Sequence, residues 1–214
     1  MTIYTLHFIR HGITDGNLQG AYIGSTDLPL CEEGRNQLFA YKQKYVYPTS
    51  PVIFSSPMKR CLETVEILYG KEPAIIPDLR ECDFGEFEQK TANELIDNPD
   101  FNNWIKGNML SAPPKGESGQ AFVDRISDAL KKIVEAMMKT KTESAIICTH
   151  GGVIMTLMAM FALPQMEMKQ WAVENGCGFT VQTDLKSWMR ANLFELAGFV
   201  PQGMEDNSKE TENE

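Results

Sequence analysis

Short apolar runs alternate along this chain with longer stretches of helical spacing. Ile3-Tyr4-Thr5-Leu6-His7-Phe8-Ile9, Val52-Ile53-Phe54, Ala74-Ile75-Ile76 and Ala145-Ile146-Ile147-Cys148-Thr149 read as strands. Runs this apolar fit a sheet buried on both faces, and strands alternating with helices predict an α/β fold with a largely parallel sheet. Helices are expected from Glu32 to Tyr45, from a Ser56 cap and Pro57 to Tyr69 before Gly70, and from Val153 to Ala162. Ser118 caps a further long helix with Phe122, Ile126, Ala129, Leu130, Ile133, Val134 and Met137 on one face. Gly178–Asp184 and Met189–Leu196 look like an antiparallel pair finishing the sheet. Periodicity fades from Cys82 to about residue 117, where Pro, Asn and Gly mix with Phe87, Phe101 and Trp104. That stretch reads as a partly helical excursion over one rim of the sheet.

The 214 residues, 43% hydrophobic, suit one domain over residues 1–200, with a mobile acidic tail over 201–214. The formal charge is −9, of which the tail holds a net −4, and this argues against nucleic acid or an anionic membrane as partner. Cys31, Cys61, Cys82, Cys148 and Cys177 are scattered and form no CxxC pair, so a disulfide framework or a zinc site is not expected. The beginning of the chain lacks the pattern of a secretory signal, and the longest strongly apolar stretch, Gly152–Leu163, is too short to span a bilayer. A reducing cytoplasm is the expected setting.

The chemistry gathers where strands end. Arg10-His11-Gly12, Ser55-Ser56-Pro57-Met58-Lys59-Arg60 and Thr149-His150-Gly151-Gly152 each follow an apolar run. Ligands of open α/β sheets bind beyond the carboxyl ends of the strands, so one rim receives two imidazoles and two arginines. Arg forks and helix N-termini suit an anionic, phosphorylated ligand. Glu81, following the third run, reaches the same rim and offers a proton donor for a departing alkoxide; burial would raise its pKa for that task.

Taken singly, these residues have ordinary readings. Arg-His-Gly is a weak tripeptide signal, Arg60 a solvated helix residue, and His150 a capping or core histidine. His7 lies inside the first strand and reads as a hydrogen-bonded core residue, and the methionines as core filling. The joint placement at three strand ends favours function. No Cys has an Arg six positions later, and no GxxxxGK[ST], Gly-x-Ser-x-Gly or strand-end Asp-x-Asp occurs, which leaves histidine as the plausible covalent nucleophile.

At this point the residues resemble a known family, the phosphoglycerate-mutase-like histidine phosphatase superfamily, to about residue 198. Arg10-His11-Gly12-x-Thr14-x-x-Asn17 is similar to its signature. Gly24, Asp27-x-Pro29-Leu30, Gly34-x-x-Gln37, Ser55-Ser56-Pro57-x-x-Arg60-x-x-x-Thr64, Glu81 with Phe84-Gly85 and Glu88, and Thr149-His150-Gly151-Gly152 follow in order. The resemblance implies a three-layer α/β/α fold whose central sheet is mostly parallel, with one antiparallel edge strand. It implies that His11 attacks phosphorus and becomes a phosphohistidine, and that Arg10, Arg60 and His150 hold the phosphoryl oxygens with Asn17 assisting. Glu81 would protonate the leaving oxygen and then activate water, while Ile23, Gly24 and Gly151 would face the substrate. No metal or cofactor is implied, because two guanidiniums and an imidazolium neutralise the transferring group. The second ring nitrogen of His11 is expected on a backbone carbonyl.

Ile13, Phe87 and Gln89 depart from the family's usual residues and affect the substrate-facing details. The family holds phosphatases and mutases. The absence of a Tyr-Gly phrase after the acid and the short chain favour hydrolysis of a small phosphorylated metabolite over a phosphoglycerate-type mutase, or over a non-catalytic phosphate-binding module. Phe87, Trp104 and Met109 suggest an apolar-lined entrance. Sugar, nucleoside-type and acid phosphates, ribazole phosphate among them, all stay open as substrates, as does a homodimer.

Overall fold

The computed structural model describes residues 2–107 and 109–204. β1 (Ile3–Arg10) leads into the short helix α1 (Asp15–Gln19) and then α2 (Glu32–Lys44), followed by β2 (Val52–Ser55), α3 (Lys59–Tyr69) and β3 (Ala74–Ile75). The excursion carries α4 (Ala92–Leu95) and α5 (Pro99–Lys106). Next come α6 (Gly119–Thr140), β4 (Ser144–Thr149), α7 (Gly151–Phe161), β5 (Ala162–Leu163), β6 (Gly178–Asp184), α8 (Leu185–Ala191) and β7 (Phe194–Val200).

The strands form one sheet in the order β3-β2-β4-β1-β6-β7-β5. β6 alone runs against the others, antiparallel to β1 on one side and β7 on the other. The antiparallel strand expected at the edge therefore has β7 and β5 beyond it. Both faces are covered, which explains the unbroken apolar runs. Leu6, Phe8, Ala145 and Ile147 pack on Ile126, Leu130 and Ile133 of α6 and Leu157 of α7. Ile9, Ile53, Ile146 and Cys148 meet Leu38 of α2 and Cys61, Val65 and Leu68 of α3. All seven apolar positions named for α6 are buried, and the Ser118 hydroxyl accepts the Ala121 N–H as its cap, worth about 1 kcal/mol. His7 sits in the sheet as expected of a core histidine, bonded through Nδ1 to Thr180 Oγ1 at 2.9 Å.

Two local expectations are corrected. The strand predicted at 189–196 pairs antiparallel with β6 as expected but starts only at Phe194: the Asp184 carboxylate accepts the Lys186 and Ser187 N–H groups, starting α8, and Asn192 ends it at φ +52°. Only from Phe194 does the chain extend again. α3 begins at Lys59 rather than Pro57, because the Ser56 hydroxyl is turned to His150 at 2.8 Å and makes only a 3.5 Å contact with Met58 N–H.

The excursion has its own small core of Phe87, Leu95 and Phe101, with Tyr22, Phe84 and Trp104 against it. Tyr22 is its link to the main body, exchanging backbone hydrogen bonds with Gln89 and Lys90 and standing edge-on to Phe84, Phe101 and Trp104. Phe87 is fully buried there and so does not line an entrance. Of the tail expected from residue 201, Gln202 forms a bridge with Val46, and residues 205–214 lie outside the described residues.

Candidate active site

His11 is placed by the end of β1 and its neighbour: its N–H donates to Thr149 O at 2.9 Å, continuing the β1–β4 pairing by one residue. The chain then turns at Gly12, where a side chain would collide with Leu38. Gly12 N–H donates to Thr64 Oγ1 at 2.9 Å. His11 Nδ1 lies 2.7 Å from Gly12 O. A carbonyl only accepts, so Nδ1 carries the ring proton and the lone pair sits on Nε2. Burial, reinforced by Arg60 and Arg10, holds the His11 pKa well below its ordinary 6.5, against the pull of the Gly12 carbonyl. The ring is neutral at neutral pH, and Nε2 has no hydrogen-bond partner among the described residues.

His150 stands edge-on to His11, with ring centroids 5.2 Å apart. Arg60 Nε donates to its Nδ1 at 3.3 Å, and its Nε2 lies 2.8 Å from Ser56 Oγ. A guanidinium only donates, so His150 here is the neutral tautomer protonated on Nε2. Burial and then Arg60, His11 and Arg10 push its pKa well below 6.5. The imidazolium expected at this position is therefore absent from this geometry, because Arg60 occupies the face that would bear the second proton.

The two arginines are held differently. Arg60 is fully buried and commits three of the five N–H donors of a guanidinium, to His150 Nδ1, Thr26 O at 2.8 Å and Gly24 O at 2.9 Å. Arg10 commits one, to Val173 O at 2.8 Å, and its buried Nε has no partner among the described residues. It lies against the start of α7, where a side chain on Gly151 would come 3.3 Å from Arg10 Nε. The two arginines together keep six N–H donors uncommitted at one strand-end rim.

Glu81 reaches the same place from the segment after β3. Its Oε2 accepts Gly152 N–H at 2.8 Å and its Oε1 accepts Cys82 N–H at 3.0 Å. A side chain on Gly152 would come 2.5 Å from that carboxyl and push it out of this position. Burial raises the Glu81 pKa, and it outweighs the two N–H bonds and the charges of Arg60 and Arg10 that oppose it.

Asn17 belongs to a capping box with Thr14, and its Oδ1 accepts from Thr14 N–H and the Thr14 hydroxyl at 3.1 and 3.0 Å and from Asn175 Nδ2 at 3.3 Å. Its Nδ2 has no hydrogen-bond partner among the described residues. Gly24 serves through its carbonyl. Ile23 packs its side chain over Gly16 and brings no polar group to the cluster.

Two organising residues carried no signal strong enough to read from sequence. Asn175 Nδ2 donates to His11 O at 2.9 Å and also faces Gly12 O and Asn17 Oδ1. The Glu88 carboxylate accepts from the backbone N–H groups of Gly24, Ser25, Thr26 and Phe84 and from the Thr26 hydroxyl at 2.6 Å. It thus fixes the loop whose carbonyls hold Arg60. Glu88 stood in the matched motif without a role, and a lone Asn before glycine announces nothing. Beside Arg10 a cavity of about 450 Å3 is lined by Ile13, Gln37, Val173, Glu174 and Asn175 among others.

The strand ends of this α/β sheet thus bring together two histidines, two arginines with free donors and a carboxyl group of raised pKa, an arrangement with the chemistry to bind a phosphate group. The histidine phosphatase superfamily (branch 1) model matches residues 6–193, and the chain belongs to that family. The adenosylcobalamin/alpha-ribazole phosphatase of Salmonella typhimurium is 27% identical, over 80% of this chain and 87% of its own length. The metal-independent phosphoserine phosphatase of Arabidopsis thaliana is 26% identical, over 94% of this chain and 87% of its own. The crystal structure of the alpha-ribazole phosphatase from Shigella flexneri superposes with a TM-score of 0.76 at 24% identity, covering 94% of this chain and 100% of that one. The fold is that of these enzymes.

Proposed function

We propose that this chain hydrolyses small phosphomonoesters through a phosphohistidine on His11, without a metal. The observation that carries the reading is the His11 Nδ1–Gly12 O bond, which leaves the Nε2 lone pair unbonded beside guanidiniums with free donors. In the first step Nε2 forms a bond to phosphorus as the bond to the leaving oxygen breaks, and the neutral carboxyl of Glu81 gives that oxygen its proton. Glu81, now a carboxylate, takes a proton from water while the water oxygen bonds to phosphorus. The P–N bond breaks and its electron pair returns to His11. The free N–H groups of Arg10 and Arg60, with Asn17 Nδ2, hold the three equatorial oxygens. When a phosphate dianion enters, Arg60 Nε turns to it and His150 takes up a proton on Nδ1, becoming a third cationic donor.

The substrate is a small phosphorylated metabolite, and the names of the relatives, spanning a ribazole phosphatase and a phosphoserine phosphatase, support that breadth. Five free thiols fit a reducing compartment, and we place the protein in the cytoplasm. No helix among the described residues is long and apolar enough to cross a membrane.

The test is a rapid acid or base quench of enzyme with 32P-labelled ester. An acid-labile, base-stable phosphoenzyme in the wild type that is missing from His11→Ala is expected. Undiminished phosphate release by His11→Ala would overturn the mechanism. Ranking phosphomonoesters by kcat/KM, with 2- and 3-phosphoglycerate interconversion followed alongside, names the substrate and separates hydrolysis from mutation of the phosphate position.

A further inference from the structure

Arg125 lies on α6, outside the cluster just described, and its donors are used completely. Nε and Nη2 donate to the Glu117 carboxylate at 3.0 and 2.7 Å. Nη1 donates to Asp78 O at 2.7 Å and Arg80 O at 3.0 Å, and Nη2 to Glu81 O at 3.3 Å. All five N–H groups thus meet acceptors, in contrast to the one used by Arg10 and the three used by Arg60. An arginine with no donor left is not waiting for a ligand. Both members of the Arg125–Glu117 pair are largely buried, and the guanidinium rests over the Phe122 ring at 5.3 Å.

What Arg125 holds is the backbone that carries the acid. Residues 78–81 leave the sheet after β3 with no strand ladder to receive their carbonyls, and side chains meet them instead. The Thr149 hydroxyl takes one, Leu79 O, at 2.7 Å. Arg125 takes three of its neighbours. Glu117, its ion-pair partner, donates its own N–H to Asp83 O at 2.9 Å, so the pair also closes the base of the excursion where the outgoing and returning chains meet.

We propose that Arg125, tethered by Glu117, is a positioning residue that sets how far the Glu81 carboxyl reaches toward the leaving oxygen. The proposal rests on the reading of Glu81 as the acid. A planar fork spanning two carbonyls on one nitrogen and a third on the next fixes direction as well as distance, which the single ammonium of lysine does not reproduce. The phosphate-holding groups make no hydrogen bond to Arg125, but its charge helps hold the His150 pKa down. Arg125→Lys, which keeps that charge, is therefore the variant that moves the acid and leaves the cradle in place.

The experiment compares Arg125→Lys, Arg125→Met and Glu117→Gln with wild type, using an alkyl phosphate and p-nitrophenyl phosphate. Nitrophenolate departs without a proton, whereas an alkoxide needs one. Because Glu81 also activates the water in the step both esters share, the leaving-group step is read alone, as the single-turnover rate of alcohol or nitrophenolate release. Misplacement of a catalytic group by about 1 Å costs about 10²-fold, so Arg125→Met is expected to lose about 10–100-fold in that rate on the alkyl ester and under about 3-fold on the nitrophenyl ester. Arg125→Lys should fall between, and its competitive inhibition by inorganic phosphate should stay within about 2-fold of wild type, because the cradle is untouched. If Arg125→Met does not fold, the lysine and Glu117→Gln variants give the same comparison. Equal losses on both esters, an undisturbed alkyl ester, or weakened phosphate inhibition of Arg125→Lys would each overturn the proposal. Glu81→Gln separates the two readings. Uniform losses there would overturn Glu81 as the acid, and this proposal with it; discrimination there but not at Arg125 would overturn the positioning role alone.

Discussion

At the strand-end rim, the His11 ring is held by the carbonyl of its neighbour Gly12, and Arg60 and His150 by hydrogen bonds to residues far along the chain; together these bonds fix the proton on each imidazole. In the excursion, Phe84, Phe87, Phe101 and Trp104 are held by one another and by Tyr22. The rim is directional and intolerant, since the bonds that hold Arg60 and the two imidazoles each join one donor to one particular acceptor. The excursion is a cluster of rings that needs volume more than angle. A site of directed hydrogen bonds and a cluster of packed rings in one chain thus tolerate change differently: the first fails with a single lost partner, the second with lost volume.

The comparison breaks most severely at Arg60. Arg60→Ala removes two free donors and a bond to His150, and a loss of about 10²–10³-fold in kcat is expected, by analogy with removing an oxyanion donor. The same variant should lose the rise in Tm that saturating inorganic phosphate gives the wild type. Retained phosphate stabilisation would mean that the cradle lies elsewhere. In the excursion, Phe101→Ala empties about one ring from the small core, a local cost of about 3 kcal/mol. Hydrogen exchange should then quicken across 84–106 while β1 and β4 stay protected, and kcat on p-nitrophenyl phosphate should stay within about 3-fold. Exchange quickening throughout the sheet would show the two regions to be one cooperative unit.

Smaller effects sharpen the electrostatics. Binding of inorganic phosphate at pH 7 should take up a fraction of a proton at His150, read by calorimetry in buffers of different ionisation enthalpy; His150→Gln should abolish it. Both buried histidines have folded pKa values below the unfolded value of about 6.5, so the unfolded chain binds protons first. Their contribution to stability is complete above that pH and is lost as pH falls through it toward the folded values. Tm should drop between pH 7 and 5, less steeply in His150→Gln. An unchanged slope would place the buried charge cost elsewhere.

The strands, the glycine turns and the site-bearing positions were legible because they depend on local sequence: an apolar run, then a glycine where a side chain would collide, as at Gly12 and Gly152. What was illegible depends on partners distant in sequence. Ser56 reads as a helix cap until His150, 94 positions later, takes its hydroxyl. His150 reads as a cation until Arg60 is seen donating to it. Phe87 reads as a wall until the excursion closes a core around it, and Arg125 reads as one more charge on an amphipathic helix. The strand reading at Met189–Leu193 fails for a local reason, since Asp184 caps a helix there.

The place of Tyr22 has a bearing on engineering. Its ring belongs to the excursion, while its backbone lies two residues from Gly24, whose carbonyl grips Arg60. A transplanted excursion, brought in to change which esters are accepted, must therefore arrive with rings that seat Tyr22. Without them, and without a carboxylate in the place of Glu88, the graft would slacken Arg60, the arginine proposed above to hold phosphate, and a change meant for selectivity would surface as lost turnover on every ester.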